Sequence, residues 1–260
     1  MNLTTSLNTT IATCLSTFDA ILTIYNTAFE PTIAYKPDSS PLTEADMRSN
    51  QIICDSIKSA YPGMCILSEE TTADEQFTDS EYCWVVDPLD GTKEFISRNG
   101  QFTVNIALTQ NHRAILGVVG IPISGLIYYA TKGGGAFRRD ENGISRINVS
   151  DKTSDLIWVG SRSHSSEKEE RLIQVNRHLI RDTLSVGSSI KGLMVAEGKA
   201  DVYYRFGPTC EWDTCAMQCI VEEAGGILRQ MDSTEMLYNR ENHLNEKGFF
   251  VVNRKENIWV

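Results

Sequence analysis

Residues 82–94 read Tyr-Cys-Trp-Val-Val-Asp-Pro-Leu-Asp-Gly-Thr-Lys-Glu, and no other stretch narrows the possible folds as far. The β-branched and aromatic content of Tyr82 to Val86 predicts a short buried strand. Pro88 is expected to stop it, with Asp87 at the strand end and Asp90 in the turn beyond. Any fold that buries this strand must aim two carboxylates at one place. Close carboxylates repel and resist desolvation unless a cation lies between them, which points to hard divalent ions such as Mg²⁺. Gly91-Thr92 adds backbone N–H groups and a hydroxyl suited to a phosphate oxygen. A plain turn, capped by Asp87 and shaped by Asp90-Gly91, would use the same residues without an ion.

The chain around this segment has 260 residues, 41% of them apolar, enough for one large domain or two packed ones. Its net charge of −10 and pI near 4.9 argue against a nucleic-acid polymer as partner, since that affinity comes from clustered Lys and Arg. Small phosphates stay possible because a metal ion reverses the local sign. Cysteines 14, 54, 65, 83, 210, 215 and 219 are odd in number and sit mostly in apolar runs. They read as reduced, buried thiols of a cytoplasmic protein, and Cys210, Cys215 and Cys219 have no matching pair for a zinc site. The first 30 residues hold no Lys or Arg, so no targeting signal is expected. No uninterrupted run approaches the ~18 apolar residues of a membrane span, which leaves peripheral membrane attachment open.

Ile11, Leu15, Phe18, Leu22 and Tyr25 recur at steps of four and three, the stripe of a first helix. Lys36 to Pro41 reads as a loop, and Thr43-Glu44-Ala45-Asp46 has capping-box spacing for a second helix ending at Tyr61-Pro62-Gly63. Cys65 to Leu67 is a short strand delivering Ser68-Glu69-Glu70 at its end. Phe102 to Leu108 alternates with period two, predicting a strand with unlike faces. A hairpin at Asn111-His112-Arg113 leads to strands Ile115 to Ile121 and Leu126 to Ala130. Gly133-Gly134-Gly135 lacks GxGxxG spacing and reads as a tight turn.

Composition turns polar from Arg138 to Ser154, the expected seam between halves at residues 1–148 and 149–260. Beyond it, Leu156 to Val159, Leu184 to Val186 and Asp201 to Tyr204 are expected strands. They alternate with helices over Ser166 to Ile180, Ile190 to Glu197 and Asp213 to Ala224. The glycines at 225 and 226 end the last of these before Ile227-Leu228 and a late strand Phe249 to Val252. The order predicts an α/β, mixed α+β fold of stacked layers.

Acids therefore stand at element termini in four distant segments: Asp46, Glu69-Glu70, Asp87 with Asp90, and Asp213. Asp46 could merely complete a cap and Asp213 merely complement a helix dipole. Together they would supply five or six oxygen ligands, a hard-metal set without His or Cys.

Ser68-Glu69-Glu70, Asp87-Pro88-Leu89-Asp90-Gly91-Thr92 and Trp212-Asp213-Thr214, in this order and spacing, resemble the signature of the lithium-sensitive, magnesium-dependent phosphatases that include inositol monophosphatase. The likeness spans nearly the whole chain. It extends through Lys93-Glu94-Phe95, Phe102 to Leu108, Ser161-Arg162-Ser163-His164 and Arg205-Phe206-Gly207-Pro208, and more narrowly resembles the CysQ-type 3′(2′),5′-bisphosphate nucleotidases. The resemblance implies a layered αβαβα sugar-phosphatase-like fold, with most metal ligands in the first half, and Asp213 and the nucleotide contacts in the second. Glu69, Asp87, the Leu89 carbonyl, Asp90 and Asp213 would hold two Mg²⁺ ions, with Asp87 bridging. Asp46 would act through Thr92, or at a third ion, and Thr92, hydrogen-bonded to Asp46, would help Glu69 prepare water for attack. Gly91, Ser161, His164, Ser188, Lys191 and Arg205 would join the ligands in contacting substrate.

The reaction so implied releases the 3′-phosphate of 3′-phosphoadenosine 5′-phosphate (PAP) to give AMP, with the sulfate-bearing analogue PAPS as a further substrate. Inositol or another sugar phosphate is the nearest alternative. A haloacid-dehalogenase-type phosphatase, forming an aspartyl-phosphate, separates its acids by one residue where this chain has two. A non-catalytic metal-binding protein would not need Thr92. One departure is Cys210-Glu211 before Trp212: an inward-pointing Glu211 would oppose a phosphate.

Overall fold

The computed structural model describes residues 1–27, 33–35, 41–71, 80–162 and 166–260. Ser163, His164 and residues 36–40 of the expected loop lie outside them. Two helices open the chain, α1 (Leu3–Thr27) and α2 (Glu44–Ala60), with a two-stranded ribbon of β1 (Ile33–Tyr35) and β2 (Pro41–Thr43) between them. A seven-stranded sheet follows in chain order: β3 (Cys65–Ser68), β4 (Tyr82–Asp90), β5 (Thr103–Gln110), β6 (Arg113–Ile121), β7 (Leu126–Thr131), β8 (Gly135–Asp140) and β9 (Gly143–Ile147). Only β3 and β4 run parallel; every later neighbour is antiparallel. The short helix α3 (Thr92–Ile96) leaves the end of β4.

The second sheet has the order β11-β10-β12-β14-β13, built from β10 (Leu156–Ser161), β11 (Ile180–Val186), β12 (Val202–Arg205), β13 (Ile227–Gln230) and β14 (Phe249–Val252). Its helices are α4 (Glu167–Val175), α5 (Ile190–Ala196) and α6 (Glu211–Glu223). α1 and α2 cover one face of the first sheet, and α6 with α5 fills the space between the sheets. Leu172 and Ile173 of α4 cover Trp158, Tyr204 and Phe250 on the outer face of the second sheet. The result is the expected αβαβα layering, because each sheet face and helix stripe must bury its apolar side on a neighbour.

Strand β6 lies at the centre, between α6 and α1. A Cβ on Gly117 would sit 2.3 Å from the Ala216 carbonyl oxygen of α6, and one on Gly120 would sit 2.5 Å from Cys14 Sγ of α1. The two glycines are three apart, so they face opposite sides and let a helix close on each. At the β5–β6 hairpin, Asn111 and His112 both take positive φ, 47° and 65°, the twist that matches right-handed strands.

Several expectations need correction. β4 does not stop at Pro88 but runs to Asp90, because a bulge accommodates the proline between Asp87 and Asp90. β5 is buried on both faces, Thr103, Asn105 and Thr109 included, since α6 covers the side that alternation suggests is wet. The polar stretch from Arg138 contains the end of β8 and all of β9, whose exposed edge tolerates charge. α4 ends at Val175, and Ile180 opens β11, where pairing with Leu156 of β10 overrides helical propensity. In α1 the buried residues are Ser6, Thr10, Thr13, Cys14, Thr17, Phe18 and Ile21, with Ile11 and Leu15 on the flank. α1 has the length and hydropathy of a membrane span, yet its apolar face packs on the sheet. Cys65 and Cys83 form a disulfide across β3 and β4, against the expectation of seven thiols; the other five stay outside disulfides, all buried except half-buried Cys210. Cys215 and Cys219 face the shared core.

Candidate metal centre

The bulge in β4 builds the site. In a regular strand, residues three apart point to opposite faces. Here Asp87 pairs with Asn105 and Asp90 with Thr103, so three steps on β4 match two on β5. The extra residue turns Asp90 back to the side of Asp87. Ser49 Oγ of α2 donates 2.7 Å to the Pro88 carbonyl and holds the bulge down. Beside it the parallel register carries β3 on: Ser68 pairs with Val86, and Glu69 N–H donates 3.1 Å to the Val86 carbonyl. Glu69 therefore emerges next to Asp87. The fourth carboxylate comes from the second half, where the first turn of α6 presents Asp213. One oxygen each of Asp87, Asp90 and Asp213 lies within 4.8 Å of the others.

Both caps have dual use. Asp46 completes the α2 capping box, its Oδ2 accepting from Thr43 N at 2.8 Å and Thr43 Oγ1 at 2.5 Å. Its Oδ1 accepts from Thr92 Oγ1 at 3.0 Å. Asp213 is the corresponding residue of α6, its Oδ2 accepting from Cys210 N at 2.5 Å. Capping and chemistry are not alternatives here, because a carboxylate has two oxygens.

Asp90 Oδ2 accepts from Ser189 N at 2.6 Å, Ser189 Oγ at 2.9 Å, Thr103 Oγ1 at 3.3 Å and Asn105 Nδ2 at 3.4 Å. Asp87 Oδ1 accepts from Leu89 N at 3.1 Å. Its buried Oδ2 has no hydrogen-bond partner among the described residues. Burial pushes the Asp87 carboxyl well above the usual carboxylate range, and Glu69, Asp90 and Asp213 push it further. Burial, with Asp90 and Glu69, raises Asp213 to about 8. Burial raises Asp90 too, against Lys191 and the Ser189 bonds, and raises Asp46 against its hydrogen bonds from Thr43 and Thr92. Three crowded acids with an orphaned oxygen are a poor arrangement for protein alone and a suitable one for divalent cations, whose charge cancels the repulsion. The donors, all hard oxygens, fit Mg²⁺.

A cavity of about 310 Å³ opens over these acids. Glu69, Asp87, Leu89, Asp90, Gly91, Thr92 and Asp213 form its floor, and Ser161, Ser188, Lys191 and Arg205 reach it from the second half. Of the expected site residues, Asp46 stands behind Thr92 and His164 lies outside the described residues; Glu70 is not part of the lining. Gly91 takes φ 93°, the conformation that turns the chain into α3. Lys191 is buried, its Nζ donating 2.6 Å to the Ser188 carbonyl, and burial lowers its pKa to about 8. Glu211 points inward but away from the cavity, held by Arg240, so the feared repulsion of phosphate does not arise.

Sequence reasoning missed Ser189, Asn105 and Thr103, the donors that fix Asp90, and singled out Ser188, the neighbour of Ser189. The available signal was Asn105 itself, a polar residue on the Ala107 face of β5. Glu94 and Tyr203, which also line the cavity, carried no signal of their own.

A layered fold with this acidic pocket at the strand ends defines a class. The chain belongs to the inositol monophosphatase family, whose members are metal-dependent, and matches it over residues 7–257. Within that family, a 3′(2′),5′-bisphosphate nucleotidase CysQ of Salmonella typhimurium is 41% identical over 238 residues, 90% of this chain and 94% of that protein. The CysQ of Escherichia coli strain K12 is 40% identical over 237 residues, again 90% and 94%. Among solved structures, CysQ from Bacteroides thetaiotaomicron gives a TM-score of 0.84 at 36% identity, covering 96% of this chain and 98% of that one. An IMPase of Thermotoga maritima, at 23% identity and TM-score 0.81 over 95% of this chain and 92% of its own, shares the fold. The haloacid-dehalogenase alternative falls with this assignment.

Proposed function

We propose that the chain is a Mg²⁺-dependent 3′(2′),5′-bisphosphate nucleotidase that hydrolyses the 3′-phosphate of PAP to give AMP and phosphate, and also accepts PAPS. The observation that carries this reading is the convergence of Asp87, Asp90 and Asp213 beneath a cavity with Lys191 and Arg205 on its wall. The CysQ relatives, at about 40% identity over most of both chains, support the nucleotide over an inositol phosphate.

Glu69, Asp87, the Leu89 carbonyl, Asp90 and Asp213 would hold two ions. Mg²⁺ bound there would lower the pKa of water and neutralise phosphate charge. Thr92 donates its hydroxyl hydrogen bond to Asp46 Oδ1, so its oxygen lone pairs are left to accept from water, and Glu69 assists. A hydroxyl alone is too weak an acid or base for that task; Asp46 sets its orientation. Lys191 and Arg205, both on the cavity wall, are the cations offered to the second phosphate; Lys191 Nζ also donates to the Val186 and Ser188 carbonyls, and Arg205 Nη2 to the Pro208 carbonyl. Ser161, His164, Ser188 and the Gly91 backbone complete the proposed substrate contacts. The substrate is a small nucleotide, and we place the reaction in the cytoplasm.

Phosphate release from PAP, PAPS, inositol 1-phosphate and fructose 1,6-bisphosphate, with Mg²⁺ and with or without Li⁺, tests this. PAP turnover is expected to dominate and to be inhibited by Li⁺. A preference for inositol phosphate would overturn the assignment.

A further inference from the structure

The residues that close over the start of α6 form a strap. Asn239, Arg240, His243 and Asn245 all bond to the turn that precedes Asp213. Glu211 is fully buried and accepts from Asn239 N, Arg240 N at 3.0 Å, Arg240 Nε at 3.2 Å and His243 Nδ1 at 3.4 Å. Its own N–H donates 3.0 Å to the His243 carbonyl. Asn245 Nδ2 donates to the Cys210 carbonyl at 2.8 Å, and Arg240 binds the Asn245 amide oxygen at 2.9 Å. Cys210 thus has its carbonyl fixed by the strap while its N–H holds Asp213 Oδ2. Rotation of that one peptide neighbourhood would swing the Asp213 carboxylate off the common point it shares with Asp87 and Asp90.

We infer that Glu211 is a positioning residue for the metal site: with Arg240 it locks the first turn of α6 so that Asp213 is held in its ligating direction. The inference rests on the proposed role of Asp213 as a metal ligand. A buried carboxylate with this many donors fixes orientation as well as packing, and outer partners of ligands typically change metal affinity by about 10- to 100-fold when lost. The arrangement also explains why an acid can stand two residues before a ligand without repelling substrate: its charge is spent on the strap.

The test is calorimetric titration of the metal-free protein with Mg²⁺, alongside thermal melting. E211Q and R240M are expected to bind Mg²⁺ at least about tenfold more weakly while remaining folded. The double variant E211Q/R240M separates position from stability, because it removes both charges of the pair, leaving neither orphaned, and keeps an amide oxygen to accept from the Asn239 and Arg240 N–H groups. It is expected to melt near the wild-type temperature yet still bind Mg²⁺ about tenfold more weakly. Recovery of wild-type Mg²⁺ affinity in the double variant would overturn the inference, leaving Glu211 a structural residue. R240K, which keeps the charge but loses the forked contact, supplies the comparison if the buried changes prevent folding; unchanged affinity there also counts against positioning. Absence of Mg²⁺ binding in the wild type would instead sink the metal-site reading itself.

Discussion

At the residue scale the site is a set of carboxylates whose second oxygens are already committed. Asp90 has one oxygen crowded by Ser189, Asn105 and Thr103, so Asp90→Asn removes ligand charge while the amide keeps the same volume. Turnover in D90N is expected to fall by about a hundredfold with an unchanged circular dichroism spectrum; wild-type turnover would refute the ligand assignment. Asp213 gives a pH signature. Its carboxyl is raised from 3.8 to about 8 in the folded, metal-free protein, and burial raises Asp87 beside it as well, so the folded acid cluster holds protons that the unfolded state has released. Stability of the metal-free protein therefore falls as pH rises through that window. Melting temperatures with chelator are expected to drop between about pH 5 and about pH 8, and Mg²⁺ to restore more at the higher value. D213N should flatten that slope and shrink the Mg²⁺ effect; an identical slope in the variant would show that Asp213 is not the titrating group.

Strands β3 and β4, as elements, place Glu69, just past the end of β3, beside Asp87 and Asp90 of β4, and they are joined by Cys65–Cys83 as well as by parallel pairing. Thiol titration of the denatured, unreduced protein is expected to find five groups, and seven after reduction. The bond closes a loop with a sequence separation of 18, so reduction should cost about 3 kcal/mol of stability, read as a lower urea midpoint. Seven thiols without reductant would show the pair to be reduced in the protein. The pairing of Cys65 with Cys83 was invisible in sequence, since neither has a motif neighbour; only the register of two distant strands sets them opposite each other.

For the whole molecule, α6 belongs to the second half by sequence but lies on the first sheet, and its core is continuous with that sheet. We propose that residues 1–148 and 149–260 unfold together. Gly117→Ala tests the coupling, because the new methyl meets the Ala216 carbonyl of α6 at 2.3 Å. A loss of about 1–3 kcal/mol in a single urea transition is expected. Two separated transitions, with the variant shifting only one, would argue for independent halves.

The layered order of elements and the identity of the acids were legible in the chain because they follow from local chemistry. Buried strands are apolar runs, helix starts carry capping boxes, and Asp46, Glu69, Asp90 and Asp213 each stand at such a boundary, with Asp87 three residues inside the end of β4. Thr92 could be singled out for the same reason, while Arg205 was marked by the family likeness, which also supplies the roles of both. What tertiary structure alone decided is direction. The bulge at Pro88 turns Asp90 to the side of Asp87, Ser189 rather than Ser188 meets Asp90, and the strap around Glu211 aims Asp213. Each depends on which residue of another strand or helix lies opposite, and residues 105, 189 and 240 are too far along the chain for any local pattern to encode that pairing.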